Sequence, residues 1–289
     1  MTPRALTLAG GRLAALAWGE PGAPAWLALH GWLDNAASFS RLAPRLVADL
    51  GIRLVALDFA GHGHSRHLPG EGDYAIWDYC HDVLDALDDL DLERAPLLGH
   101  SMGAGVACLV AAAFPERVAR LTLIDGLGVL TTEAGQAAAQ LRKGLRAHRR
   151  PPSRPPRYPD RETAVAARVA GGATPIDPAT ARPMVERNLI DDDGHVRLRT
   201  DPSLLRPSPV RFSPEQARGL LGAIRCPVLC LEAEAGILAG RAAAQDAGRA
   251  IGDMRRRVLP GGHHLHLEPD RADRVAEAIC EEHERGGAA

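Results

Sequence analysis

Apolar residues along this chain follow two periods that take turns. Short continuous apolar runs, bounded by Gly, Pro and Asp, alternate with longer stretches in which apolar residues recur every three or four positions. The first kind predicts buried strands and the second helices. Gly10 and Gly11 separate two short runs and predict an N-terminal hairpin. Ala25–Leu29 then reads as a strand ending in a His-Gly turn. "FSRLAPRLVADLG" has helical spacing and stops at Gly51, a good C-cap residue. "IRLVALD" is a strand followed by the glycine-rich loop "FAGHGHS". In "YAIWDYCHDVLDALDDL", Ile76, Tyr79, Val83, Leu87 and Leu90 form a helical stripe, with Asp73 as the expected cap and the acidic residues facing solvent. "APLLG", "VARLTLID", "CPVLCLEAEA" and "RRRVLPGG" supply four more strands. "SMGAGVACLVAAAFP" and "DRADRVAEAICEEHER" supply helices. The alternation predicts an α/β fold: a mainly parallel eight-stranded sheet with helices on both faces.

The middle of the chain breaks this rhythm. Residues 126–220 are too long for an ordinary loop. The segment holds 12 of the 22 prolines. Residues 142–161 carry eight Lys/Arg against one acid, Asp160. We expect an inserted helical cap here, with no further sheet, between core segments 1–125 and 221–289. Its basic, proline-rich stretch is expected to be an exposed irregular linker. No internal repeat is visible.

Composition narrows the possibilities. With 46% hydrophobic residues the chain can bury a large core. A formal net charge of -2 argues against nucleic acid or an anionic membrane as the main partner. Lys143 is the single lysine among 34 basic residues, which we attribute to composition bias. Five cysteines, with no metal or redox spacing, are expected to be reduced in a cytoplasmic protein. Cys226 and Cys230 are expected to share a strand. The N-terminus lacks a signal pattern, and no run reaches the roughly 18 apolar residues that span a bilayer. A small-molecule partner and a monomer or homodimer are expected.

Three segments carry chemistry. "GHSMG", residues 99–103, fits G-x-S-x-G between a predicted strand and a predicted helix. That context places Ser101 on a tight turn at the top of the sheet, with the Met102 N–H beside it. "HGW" ends an earlier strand. Its Trp32 N–H is the candidate to join Met102 as an oxyanion hole, while the His30 ring is expected to hold the loop. "GGHHLHLEPD" follows the last strand and offers a base for the serine. His263 is preferred, His264 is the second choice, and His266 is expected to pack. The histidines of "GHGHSRH" and "GHHLH" also raise a metal site. Neither has H-E-x-x-H spacing and no carboxylate is convincingly placed, so no metal is expected. The chain has neither a Walker loop nor G-x-G-x-x-G, and no cofactor is expected.

Together, "LALHGW", "LDFAGHGHS", "LLGHSMGAG", "LTLIDG", "PVLCLEAE" and "GGHHLHLE" resemble the α/β-hydrolase superfamily across nearly the whole chain. "PSPVRFSPEQARGLLGAIRCPVLCLEAEAGIL" and "GGHHLHLE" look like its serine hydrolase-like subgroup. The resemblance implies Ser101 as nucleophile, His263 as base, and a cap after the sixth strand. It also implies a triad acid at the end of the seventh strand, where this chain has Gly236. Three residues compete to replace it. Asp125, ending the sixth strand, is preferred. Glu234 is the alternative, and Glu232, on the strand itself, is the weakest. A serine rather than an aspartate at the nucleophile position argues against haloalkane dehalogenase or epoxide hydrolase chemistry. The expected activity is serine hydrolysis of an ester, thioester or lactone of a small to medium organic acid. A C–C bond hydrolase and a non-catalytic ligand-binding homologue are the alternatives.

Overall fold

The structure is a computed structural model that describes residues 1–69, 72–151, 153–172, 174–239 and 247–287. Its main sheet takes β1 (Arg4–Leu8), β2 (Leu13–Trp18), β3 (Ala25–Leu29), β4 (Arg53–Asp58), β5 (Ala95–His100) and β6 (Val118–Ile124) from the first part of the chain. Two more strands, β10 (Val228–Ala235) and β11 (Met254–Gly262), come from the last part. The eight lie in the order β1-β2-β4-β3-β5-β6-β10-β11. β2 pairs antiparallel with β1 and with β4, and every pairing from β4 to β11 is parallel.

Burial on both faces explains why the central strands read as unbroken apolar runs. Leu27 and Leu29 of β3, with Val55 and Leu57 of β4, join one core cluster. Trp26 and Ala28, with Leu54 and Ala56, join the other. The first cluster is covered by α2 (Tyr79–Asp89) and α3 (Met102–Ala113). The second is covered by α1 (Leu42–Leu50) and the C-terminal helix α8 (Ala272–Gly287), through Leu42, Leu46, Val275 and Ile279. α1 ends where Gly51 turns left-handed at φ 63°.

Between β6 and β10 the chain leaves the sheet. It forms α4 (Ala137–His148), α5 (Arg161–Gly171), α6 (Pro178–Asn188) and α7 (Pro214–Gly222). Contrary to expectation it also forms a second sheet, β7-β9-β8, from Arg157–Tyr158, His195–Leu198 and Leu189–Asp192. Ala164, Val165, Ala181, Val185 and Val196 give this segment a small core of its own. The antiparallel pair β8–β9 closes around Asp193 and Gly194, both at positive φ. α7 straddles the expected boundary at residue 220 and presses Leu221 into the main core.

Two local expectations are corrected. α2 begins at Tyr79 with Asp78 at its N-cap position, while Asp73 instead accepts from Ser208 Oγ at 3.3 Å. The Asp73-capped start fails because Asp73 lies a turn and a half too early. Cys226 precedes β10 rather than lying on it. All five cysteines are free. Among the described residues, no helix is long and apolar enough to cross a membrane.

Candidate active site

β5 delivers Ser101 into the sharp turn before α3. Its backbone sits at φ 51°, ψ −113°, a conformation that costs about 1–3 kcal/mol and persists only where the surroundings fix it. Three contacts do so. The Ser101 N–H donates to the Ile124 carbonyl at 3.0 Å. A Cβ at Gly99 would lie 2.6 Å from the Ala104 backbone, and one at Gly103 would collide with the Leu29 carbonyl. The glycines of "GHSMG" are therefore required by close backbone approach. Met102 opens α3, so its N–H lies in the first turn of the helix beside the serine.

His263 lies in the loop after β11. Its Nε2 is 3.0 Å from Ser101 Oγ, and its Nδ1 is 2.6 Å from Asp125 Oδ2. These distances set the tautomer: Nδ1–H donates to the carboxylate and Nε2 accepts from the hydroxyl. Asp125 follows β6 at φ 40°, and its N–H donates to the Leu231 carbonyl at 2.8 Å. Burial opposes ionisation of this carboxylate. Hydrogen bonds from His263, from Ile237 N–H at 2.8 Å and from Ala233 N–H at 3.3 Å outweigh it and hold the pKa below its usual value. Burial pulls His263 below its ordinary pKa, against the opposing pull of Asp125. A neutral imidazole poised to accept a proton is the result.

The same carboxylate explains Gly236. A Cβ there would overlap both oxygens and the carboxyl carbon of Asp125. The two strand ends converge so closely that only one of them can carry a side chain. The other candidate acids stand apart. Glu234 is exposed, and Glu232 is buried on β10 and ion-paired with Arg256.

The "HGW" loop is built around a neutral ring. His30 Nδ1–H donates to the Gly31 carbonyl at 2.7 Å, and His30 Nε2 accepts from Phe59 N–H at 3.1 Å. Burial pushes its pKa down. Trp32 follows, with its indole N–H on the Leu204 carbonyl of the inserted segment at 3.1 Å. That segment is also bound at β4, where Arg187 of α6 contacts the fully buried Asp58 at 2.6 Å.

Behind His263 lies a second polar cluster. His264 Nε2–H donates to Asp34 Oδ2 at 3.1 Å, and His100 Nδ1 lies 3.5 Å from the same oxygen. His100 Nε2–H donates to the His263 carbonyl at 2.9 Å. His266 is fully buried beside Phe39 and His100. Sequence patterning singled out neither Asp34 nor His100. Their signal was present in the "LDN" after "HGW" and in the "H" of "GHSMG", but neither position reveals its partner. His264, considered as a base, faces Asp34 instead of Ser101.

Comparison with known proteins identifies the family and the fold. A family model for the alpha/beta hydrolase fold matches residues 24–166. A serine hydrolase-like protein of Dictyostelium discoideum is 34% identical over 280 residues, covering 89% of this chain and 74% of that one. The crystal structure of a hypothetical protein from Pseudomonas aeruginosa PAO1 superposes with a TM-score of 0.89 at 41% identity, over 98% of this chain and all of the other. The thioesterase domain of the curacin biosynthetic pathway superposes with a TM-score of 0.82 at 27% identity, over 96% and 99%. The fold is thus shared, and the chain belongs to the α/β-hydrolase superfamily, within its serine hydrolase-like group.

Proposed function

We propose that this hydrolase cleaves an ester, thioester or lactone of a small to medium organic acid through an acyl-enzyme on Ser101. The observation that carries the proposal is the continuous hydrogen-bonded chain from Ser101 to His263 to Asp125, at 3.0 and 2.6 Å. Ser101 Oγ attacks the acyl carbonyl while His263 Nε2 takes the hydroxyl proton. Asp125 holds the ring's tautomer and stabilises the imidazolium that forms. The backbone N–H groups of Trp32 and Met102 receive the developing oxyanion. His263 then gives its proton to the departing alcohol or thiol. Water enters, loses a proton to His263 and attacks the acyl carbon. Collapse of the second tetrahedral intermediate expels Ser101, which recovers the proton, and releases the acid.

The likeness to a thioesterase domain supports acyl transfer as the reaction class. The test is fluorophosphonate labelling followed by a series of p-nitrophenyl esters of increasing acyl length. Wild-type protein labels at Ser101 and turns over at least part of the series, and Ser101→Ala does neither. Folded wild-type protein that resists the label, or a Ser101→Ala variant that retains turnover, overturns the proposal.

A further inference from the structure

We propose that Asp34, His100 and His264 form a binding site for a divalent transition metal of the zinc class, directly behind His263. One ligand atom from each of Asp34, His100 and His264 lies within 4.8 Å of the other two, and all three residues are buried. The argument begins with protons. His100 Nε2 must carry its proton, because it donates to the His263 carbonyl. In the neutral ring Nδ1 is therefore a bare acceptor. It finds no hydrogen-bond partner, yet it faces a carboxylate oxygen at 3.5 Å. Two acceptors aimed at each other in a fully buried site call for a cation between them.

The spacing suits a metal ion. Ligands about 2.0–2.1 Å from a tetrahedral ion are about 3.3–3.4 Å apart. The two separations from Asp34 Oδ2, 3.1 Å to His264 Nε2 and 3.5 Å to His100 Nδ1, bracket that value. A Cβ at Gly31 would crowd the same two atoms, at 2.9 Å from Asp34 Oδ2 and 3.0 Å from His100 Nδ1, so a glycine there keeps a side chain off them. The surrounding bonds also match a metal-binding histidine. A ligating imidazole characteristically donates its other N–H to a carbonyl or carboxylate, and His100 already does so to His263. On binding, the His264 ring proton moves from Nε2 to Nδ1, and the bare Nε2 becomes a ligand. One carboxylate and two neutral imidazoles favour zinc over magnesium, which prefers an all-oxygen shell.

The test uses the whole chain, stripped with a chelator, and reads binding rather than turnover. Titration calorimetry with zinc chloride is expected to show one tight site per chain, absent with magnesium chloride. Asp34→Asn and His264→Gln are each expected to weaken it about tenfold or more. His263→Gln, which removes the imidazole in contact with Ser101, is expected to leave it within about threefold. Crystals of wild-type protein grown with zinc give an independent result that needs no variant to fold. An anomalous peak between Asp34, His100 and His264 supports the site. Absence of a tight site, a peak on His263 instead, or affinity unchanged in Asp34→Asn overturns it.

Discussion

Successive residues of one loop, His263 and His264, each pair with a buried carboxylate. Nδ1 of the first meets Asp125 at 2.6 Å, and Nε2 of the second meets Asp34 at 3.1 Å. Both pairs combine the same two side-chain types, and their other partners separate them. The far nitrogen of His263 reaches Ser101 Oγ. The far nitrogen of His264 is buried and has no hydrogen-bond partner among the described residues, while its carboxylate also faces His100 inside the fold. An Asp–His pair is therefore not by itself a catalytic feature. What the far nitrogen faces decides between proton transfer and a structural or cation-binding role.

Breaking each pair in turn should separate the two roles. The largest effect is expected from the serine and its base. Ser101→Ala and His263→Gln should each lower kcat by about 10⁴-fold or more, as in other serine hydrolases. His264→Gln should spare kcat to within about tenfold, because its ring never meets the serine. Comparable losses in His263→Gln and His264→Gln would erase the distinction between the pairs.

Asp125→Asn comes next, with an expected loss of about 10³–10⁴-fold from the wrong imidazole tautomer. Glu234→Gln should change nothing, since Glu234 is exposed. A sharper version exploits the crowding between the strand ends. Gly236→Asp alone should destabilise the protein by about 1–3 kcal/mol, because its Cβ meets the Asp125 carboxylate. In an Asp125→Gly background the same substitution should restore part of the lost kcat. Chemical denaturation and kinetics on the three variants check both halves.

Acid pH probes the two regions differently. The proposed mechanism requires neutral His263, whose pKa lies below the ordinary 6.5 through burial. The acid limb of kcat/KM should therefore fall below pH 6.5, and a limb above that value would contradict the burial of the base. Stability should respond through the rings that stay neutral in the fold. His30, His100 and His266 have lowered pKa values, and His62 is pushed down to about 3, all by burial. Below pH 6.5 the unfolded chain binds protons that the native state refuses. Stability is therefore present above the unfolded pKa and lost as pH falls toward the folded one. The slope is about 1.4 kcal/mol per pH unit for each such histidine. Melting temperatures between pH 7.5 and 5 measure it.

Much of this architecture was legible from pattern alone, for physical reasons. Strands buried on both faces must be continuously apolar, and those runs marked β3 to β6 and β10. The strained turn at Ser101 demands small neighbours, which makes its motif readable. The second sheet was harder to see because β7, β8 and β9 are short and polar, at two to four residues each. One signal for it was present: an Asp-Gly pair, Asp193-Gly194, between two alternating runs is a strong hairpin cue. The reading of residues 126–220 as a helical cap left no place for it. The Asp34 cluster was harder to read, since it joins residues distant in the chain: two from loops and His100 from the end of β5. Gly236 illustrates the opposite case. In sequence it looked like a lost acid, whereas in the fold it is the space that Asp125 needs.

The Trp32 indole resting on the Leu204 carbonyl, together with Arg187 on Asp58, bears on engineering. Exchanging the inserted segment with that of a relative is an attractive way to change substrate range. Here the transplant would remove an anchor from the loop whose N–H is proposed to receive the oxyanion, and would leave a buried aspartate without its cation. A working chimera would have to carry a carbonyl acceptor and an arginine at the equivalent places. The inserted segment is therefore a poor interchangeable cassette unless its seams travel with it.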